Sequence, residues 1–313
     1  MKVSTRRAIT STIERLAATD EKIYVVCTDS KGSVTADGFA EKFPERFLEC
    51  GIAEQNAVSL GAGLASTGKT VFVAGPACFM STRAYEQIKV DVSYNDQNVK
   101  IIGVSGGVSY GPLGATHTSL NDVGAIRALF NVEIFLPADD IEAKAVIEYV
   151  AKSGKPAYVR VGRGDTERVF PEDESFEIGK AKVLRVGEDV TIVAAGETVR
   201  RAIKAAEILE KSGIKATVVD MCRIKPLDEE TLLCYAKKTG AVLIVEEHSV
   251  IGGLGEAVAH ALSEEPVAVK ILGFPDEELV VGKPEELFSY YRLDAENIAS
   301  DAEELVRRKK GHE

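Results

Sequence analysis

Glu54 stands in the run Gly51-Ile52-Ala53-Glu54-Gln55-Asn56, directly before a stretch of small residues (Ala57, Gly61, Ala62, Gly63, Ala65). A carboxylate in the first turn of a helix is favoured by the helix dipole. A functional reading needs instead a carboxyl group that shares a proton with a ring nitrogen of a ligand. A second constellation, Cys78-Phe79-Met80-Ser81-Thr82-Arg83-Ala84-Tyr85-Glu86-Gln87, offers an aromatic ring at Phe79 for stacking, with Tyr85 close by. A third, Gly106-Gly107-Val108-Ser109-Tyr110-Gly111-Pro112-Leu113-Gly114-Ala115-Thr116-His117, is glycine-rich and ends in a polar pair. The chain holds four histidines (His117, His248, His260 and His312), so one that ends such a loop is a candidate proton carrier. Each feature also has a plain structural explanation. Glu54 can serve as a helix start, Phe79 as core, and the small residues as a surface for close packing.

To act together these residues need a framework that brings separate loops to one place. Short β-branched runs at 22–27, 70–74, 99–104, 133–136 and 157–161 predict buried strands. Segments of 3.6-residue period at 6–18, 54–66 and 141–152 predict helices between them. Strand–helix alternation is the pattern of a mostly parallel, doubly wound α/β sheet. In such sheets the loops at the carboxyl ends of the strands form the ligand crevice, and the segments carrying Phe79 and His117 both follow strands. From 162 to 180 the periodicity stops in a stretch rich in charge, Gly and Pro, the mark of a linker. Alternation then restarts, with strands at 190–194, 216–220 and 241–246 and helices at 200–211, 229–238 and 254–262. The charged tail 294–310 predicts a surface helix. The expected organisation is two tandem doubly wound α/β domains with mostly parallel sheets, 1–168 and 185–313, joined by a linker at 169–184. A chain of 313 residues exceeds one comfortable core.

The order and spacing of the three constellations resemble the transketolase family. Gly-Ile-Ala-Glu-Gln-Asn is similar to that family's motif bearing the Glu that activates thiamine diphosphate. The segment ending Arg83-Ala84-Tyr85-Glu86-Gln87 and the Gly-x-x-Gly-x-Thr-His loop follow in the same order. The resemblance continues through Leu136-Pro137-Ala138-Asp139, Val159-Arg160-Val161-Gly162-Arg163-Gly164, Arg223-Ile224-Lys225-Pro226-Leu227-Asp228 and Glu246-Glu247-His248-Ser249-Val250-Ile251-Gly252-Gly253. It therefore spans essentially the whole chain, as a pyrimidine-binding domain followed by the transketolase C-terminal domain. The resemblance implies that Glu54 hydrogen-bonds the pyrimidine ring of the cofactor, that Phe79 stacks on the aminopyrimidine near Tyr85, and that His117 hydrogen-bonds a donor-sugar hydroxyl or shuttles a proton. Arg6, Ser33 and Arg163 match positions that bind the substrate phosphate, where Arg makes strong charge-assisted bonds. The role of Glu54 sets a physical condition. The helix N-terminus favours an ionised carboxylate and the role needs a shared proton, so an apolar, water-excluding wall has to oppose the dipole.

The family's Gly-Asp-Gly motif with its downstream Asn, which binds the diphosphate and Mg²⁺, does not occur in this sequence. The resemblance thus implies a separate N-terminal subunit that supplies that site, a 2+2 heterotetramer, no metal ligands on this chain, and a chain inert alone. Two positions depart from the family. Leu113 stands where the Asp of Gly-Glu-Asp-Gly recognises a hydroxyl beside the donor carbonyl, and Ser105 stands where a phosphate-contacting His is usual. Leucine cannot accept that hydroxyl's bond, and a donor hydroxyl facing it would be left unpaired. The expected donor is an anionic ketose other than xylulose 5-phosphate, or one that differs at that hydroxyl, with an aldose phosphate as acceptor.

Competing readings share parts of this pattern. The β subunit of a 2-oxo acid dehydrogenase has the fold and the Glu, but the set Arg6, Ser33 and Arg163 disfavours it. A synthase of the 1-deoxyxylulose phosphate type normally carries both halves on one chain. A non-catalytic regulatory or scaffold subunit is compatible with Leu113 and Ser105 but not with intact Glu54, Phe79 and His117. Gly252-Gly253-Leu254-Gly255 lacks the full dinucleotide fingerprint and fits a glycine-rich helix start better. With a net charge of −11 and no basic stripe, nucleic acid is a poor partner. No apolar run approaches the roughly 20 residues of a membrane span, and no apolar stretch follows the charges at residues 1–7, so no signal peptide is expected. Five scattered cysteines without metal spacing predict buried free thiols in a reducing, cytoplasmic setting.

Overall fold

In the computed structural model, which describes residues 1–310, seven strands form the first sheet. Their order is Arg223–Lys225, Glu133–Phe135, Ala157–Val161, Val99–Val104, Thr70–Pro76, Ile23–Cys27 and Phe47–Glu49. Every pair is parallel except Arg223–Lys225 on Glu133–Phe135. Side chains alternate between faces along a strand, and both faces here are apolar. Phe72 and Ala74 pack with Ala8, Ile9 and Ile13 of helix Thr5–Ala17 and with Val146 and Ile147 of helix Asp140–Ser153. Val71 and Val73 point the other way, onto Ala57, Val58 and Ala62 of helix Glu54–Ala65. Gly61 makes that contact close, since a Cβ there would lie 2.6 Å from Val73 Cγ2.

The second sheet has the order Ala268–Phe274, Ala241–Ser249, Val190–Ala194, Ala216–Asp220, Lys182–Arg185. It is parallel apart from Lys182–Arg185. Helices Val199–Lys211 and Ala295–Lys310 cover one face; Glu229–Thr239 and Leu254–Ala261 cover the other. Among the described residues no helix is long and apolar enough to cross a membrane.

Three expectations need correction. The tail helix Ala295–Lys310 is not a surface element. Ile298, Ala302, Leu305 and Val306 are buried in the second core, a spacing hidden by the charges between them. The stretch read as a linker is strapped to the first domain: Thr166–Glu167 pairs with Lys2–Val3, and Asp139 accepts the amides of Val169 and Phe170 at 2.8 Å each. Strand Lys182–Arg185 begins inside it. Of the five cysteines, all free, Cys234 is exposed rather than buried.

The two sheets share a hydrogen-bonded junction. Strand Arg223–Lys225 from the second half completes the edge of the first sheet, and Leu136 donates its amide to Cys222 O at 2.8 Å. Next to it the carboxyls of Glu142 and Asp220 are both buried. Glu142 accepts the Ala138 amide at 2.8 Å, while neither Asp220 oxygen has a hydrogen-bond donor among the described residues. Burial pushes both upward, with the charge of Glu142 adding to it at Asp220 and the charge of Asp139 at both, so the folded pair keeps a proton between them. The unfolded carboxyls lose that proton near pH 4. The folded state therefore binds more protons above that pH, and stability declines as pH rises, by up to about 1.4 kcal/mol per pH unit. Urea unfolding should give its highest midpoint near pH 5 and a falling one toward pH 8. Asp220→Asn, which leaves no proton to share, should flatten that slope; an unchanged slope would remove the pair from the account.

Candidate active site

The carboxyl ends of three neighbouring strands, Ile23–Cys27, Thr70–Pro76 and Val99–Val104, carry the segments singled out in the sequence. Together with the start of helix Glu54–Ala65 they enclose an open cleft of about 430 Å³. Glu54, Phe79, Leu113 and His117 all line it, with Ser33 on the same wall as Thr28 and Ser30. Glu54 is 4% exposed at the first helical position, and the turn before it is shaped by Gly51 at φ +68°.

Arg83 binds two of these groups at once. Its Nη1 lies 3.3 and 3.4 Å from the Glu54 carboxylate oxygens, and its guanidinium sits 3.9 Å from the centroid of the Phe79 ring. His117 meets Phe79 edge-on at 5.3 Å and Tyr110 at 5.7 Å, and its Nδ1 is 2.8 Å from Thr116 Oγ1. With the hydroxyl donating, the ring proton is on Nε2, which leaves His117 a donor.

Arg6 donates to Ser33 O at 2.5 Å, and Arg163 donates to Tyr110 Oη at 2.6 Å. Neither is the loose surface charge that its position at a helix start or in a linker would allow. Arg6 Nε is buried without a partner among the described residues, and burial followed by the charge of Arg163 pushes the Arg6 guanidinium downward. A guanidinium destabilised this way suits an anion beside it.

The glycine-rich loop is shaped from behind by a buried ion network. Arg160, in the middle of strand Ala157–Val161, donates to Asp122 Oδ1 at 3.3 Å and to Glu247 O at 3.0 Å, and its Nη2 is 3.7 Å from Glu247 Oε2. Tyr158 donates to Asp122 Oδ2 at 2.7 Å. Glu247 Oε1 then accepts the Val108 amide at 2.9 Å. Gly107, at φ +58°, lets the carboxylate approach: a Cβ there would lie 2.0 Å from Glu247 Cδ.

Behind this network the second domain locks on. His248 donates from Nδ1 to Ser249 O at 2.8 Å and accepts the Gly124 amide on Nε2 at 3.2 Å. Burial pushes its pKa down, in keeping with this neutral ring. The amides of Leu254 and Gly255, which a dinucleotide phosphate would need, are taken by the Glu246 carboxylate at 2.6 and 2.9 Å. That glycine run is therefore a helix start held by an internal carboxyl group.

Two anticipated residues lie off the cleft wall. Tyr85 begins a new short helix after the break at Ala84 and packs half-buried against the first domain's core. Ser105, at φ +59°, is fully buried beneath the loop with its hydroxyl unpartnered. His260 sits in helix Leu254–Ala261, away from the cleft, and His312 lies outside the described residues. Sequence reasoning missed Arg83 as a partner of Glu54, and Thr28, Ser30 and Tyr110 as wall residues. It also missed the Arg160 network, although a charge inside an apolar strand was the available signal. Among the described residues no group of three or more His, Cys, Asp or Glu side chains is arranged to hold a metal ion.

A buried carboxyl, an aromatic ring and a histidine converge at the switch of a parallel sheet, backed by a second parallel domain. This is the class of two-domain α/β enzyme subunits that present a pyrimidine-binding crevice. The transketolase pyrimidine binding domain matches residues 1–168 and the transketolase C-terminal domain matches residues 179–298. The chain belongs to the transketolase family. It is 48% identical over 307 residues to an apulose-4-phosphate transketolase subunit of Phocaeicola vulgatus, covering 98% of each chain. It is 36% identical over 294 residues to the 6-deoxy-6-sulfo-D-fructose transketolase subunit of Clostridium sp. (strain MSTE9), covering 94% of this chain and 91% of that one. A solved split-gene transketolase, described as an inactive beta4 tetramer, superposes with a TM-score of 0.91 at 40% identity, covering 98% of this chain and 99% of that one.

Proposed function

We propose that this chain is the C-terminal subunit of a split, thiamine-diphosphate-dependent transketolase, which moves a two-carbon ketol unit from an anionic ketose to an aldose phosphate. The observation that carries this is the meeting of Glu54, Phe79 and His117 in one cleft. The residues fit the cofactor. Glu54 is a buried carboxyl whose side-chain partner Arg83 is half-exposed, and Phe79 offers a ring beside it. When bound, thiamine diphosphate supplies the carbon nucleophile and the electron sink. Glu54 would share a proton with its pyrimidine, a role that the ion pair with Arg83 opposes. Phe79 stacks on that ring. His117, held by Thr116, donates to a sugar oxygen or carries its proton. Arg6 and Arg163, with Ser33, take the anionic end of the substrate.

The diphosphate and Mg²⁺ belong to an N-terminal subunit, with two copies of each chain in the assembly. The 40% identical relative, a split-gene transketolase whose beta4 tetramer is inactive, supports this division. The donor is a ketose other than xylulose 5-phosphate. Apulose 4-phosphate is the first candidate, because the 48% identical relative bears that name and Leu113 lines the cleft. The reconstituted complex should prefer apulose 4-phosphate over xylulose 5-phosphate in kcat/KM. Leu113→Asp should raise kcat/KM for xylulose 5-phosphate about 10- to 100-fold, the value of one hydrogen bond to a charged acceptor. Full activity on xylulose 5-phosphate, equal in the wild type and the variant, would contradict this assignment.

A further inference from the structure

Among the described residues, two hydroxyls in the cleft wall have no partner. Thr28 and Ser30 are 4% and 8% exposed, both line the cleft, and neither Thr28 Oγ1 nor Ser30 Oγ makes a hydrogen bond. Buried polar groups are almost always paired, so an orphan in a cleft points to a ligand that completes it. The loop that presents them is built for the purpose. Asp29, between the two, is held in the left-handed region at φ +53° while its amide donates to Glu49 Oε1 at 2.6 Å. The same oxygen accepts the Gly51 amide at 3.2 Å, which ties this loop to the turn before Glu54. Gly75 on the next strand leaves the space that Thr28 Oγ1 uses, since a Cβ there would lie 2.7 Å from it.

The position of this wall matters. In the sheet, strand Ile23–Cys27, which leads to Thr28 and Ser30, is separated from strand Val99–Val104, which leads to Leu113, by strand Thr70–Pro76 alone. Two strand spacings put the two loops about 10 Å apart at their roots, either side of strand Thr70–Pro76. One side is apolar at Leu113 and the other carries two unused hydroxyls.

We infer that Thr28 and Ser30 are the specificity-determining residues for the donor and bind the hydroxyl on the carbon beside the ketose carbonyl, from the side opposite Leu113. The inference rests on the transketolase reading above and names its substrate class. That class is a ketose phosphate whose hydroxyl at this carbon is inverted, or borne on a branch, and so faces the Thr28–Ser30 wall.

The test uses the hetero-oligomer loaded with thiamine diphosphate and Mg²⁺, with apulose 4-phosphate and xylulose 5-phosphate as donors. Thr28→Val and Ser30→Ala should each lower kcat/KM for apulose 4-phosphate about tenfold, and the double variant about a hundredfold. The affinity for thiamine diphosphate, read by fluorescence quenching, should stay within about twofold. The thermal midpoint should hold or rise, because a lone buried hydroxyl is a burden to the fold. Wild-type kcat/KM in the double variant would overturn the inference, as would transfer from xylulose 5-phosphate alone that ignores these substitutions. A fall in cofactor affinity that matches the fall in kcat/KM would also overturn it, by giving the hydroxyls to the cofactor. No two-carbon transfer from either ketose by the wild-type complex would instead defeat the transketolase reading and this inference with it.

Discussion

Replacing Glu54 by Gln in the reconstituted complex lowers two-carbon transfer by roughly 100- to 10,000-fold, the range for a positioned group that handles a proton. Glutamine keeps the size of the side chain and can still accept from Arg83, but it cannot share a proton with a ring nitrogen. The carboxyl is fixed at the first turn of helix Glu54–Ala65 and faces the cleft beside Phe79. Its ion pair with Arg83 has a half-exposed partner, and such pairs contribute about 0.2–1 kcal/mol. The thermal midpoint should therefore move by a few degrees at most. A variant that folds and keeps full transfer would remove Glu54 from the chemistry. One that unfolds would make the residue structural, and differential scanning alongside the assay separates the two results.

Arg160→Met should destabilise the chain by about 3–5 kcal/mol, the cost of leaving buried carboxylates without their cation. Arg160, Asp122 and Glu247 are each at least nine-tenths buried, so water cannot replace the guanidinium. Methionine fills much of the volume, and the loss then comes from charge rather than from a cavity. Adding Asp122→Asn and Glu247→Gln should recover most of the stability, because the uncompensated charges are gone. Transfer should stay low in the triple variant, since the anchor of Val108 is weakened and with it the loop that carries His117. Urea midpoints for the single and triple variants check this. A single variant within 1 kcal/mol of wild type, on the order of an exposed pair, would show the network to be incidental.

Much of the frame was legible in the chain because buried parallel strands are apolar on both faces. Val99–Val104, Ala157–Val161, Val190–Ala194 and Ala216–Asp220 carry that signature at most of their positions. The three-residue strands Phe47–Glu49 and Arg223–Lys225 carry none, because their partners and not their own composition make them strands. Arg223–Lys225 could not have been assigned to the first sheet from sequence, as nothing local tells a segment to cross a domain boundary. The charges of the tail hid its buried stripe of Ile298, Ala302 and Leu305.

The site divides in the same way. Glu54, Phe79 and His117 were visible because motif order is local, whereas what touches them is not. That Arg83 folds back onto Glu54 depends on where helix Ala77–Arg83 ends. Tyr85 looked equivalent to Phe79 in the same segment, but the break at Ala84 turns it into the core. The orphan hydroxyls of Thr28 and Ser30 are small polar residues in a loop, which sequence alone gives no reason to single out.

The most direct test is a donor screen on this chain co-purified with an N-terminal subunit carrying Gly-Asp-Gly and a downstream Asn, supplied with thiamine diphosphate and Mg²⁺. The assay follows transfer of a two-carbon unit from apulose 4-phosphate, xylulose 5-phosphate and other anionic ketoses to an aldose phosphate. The prediction is transfer from at least one ketose that disappears with Glu54→Gln and when either subunit is omitted. Turnover of a 2-oxo acid with no transfer from any ketose, or silence in both assays from a folded complex, would contradict it.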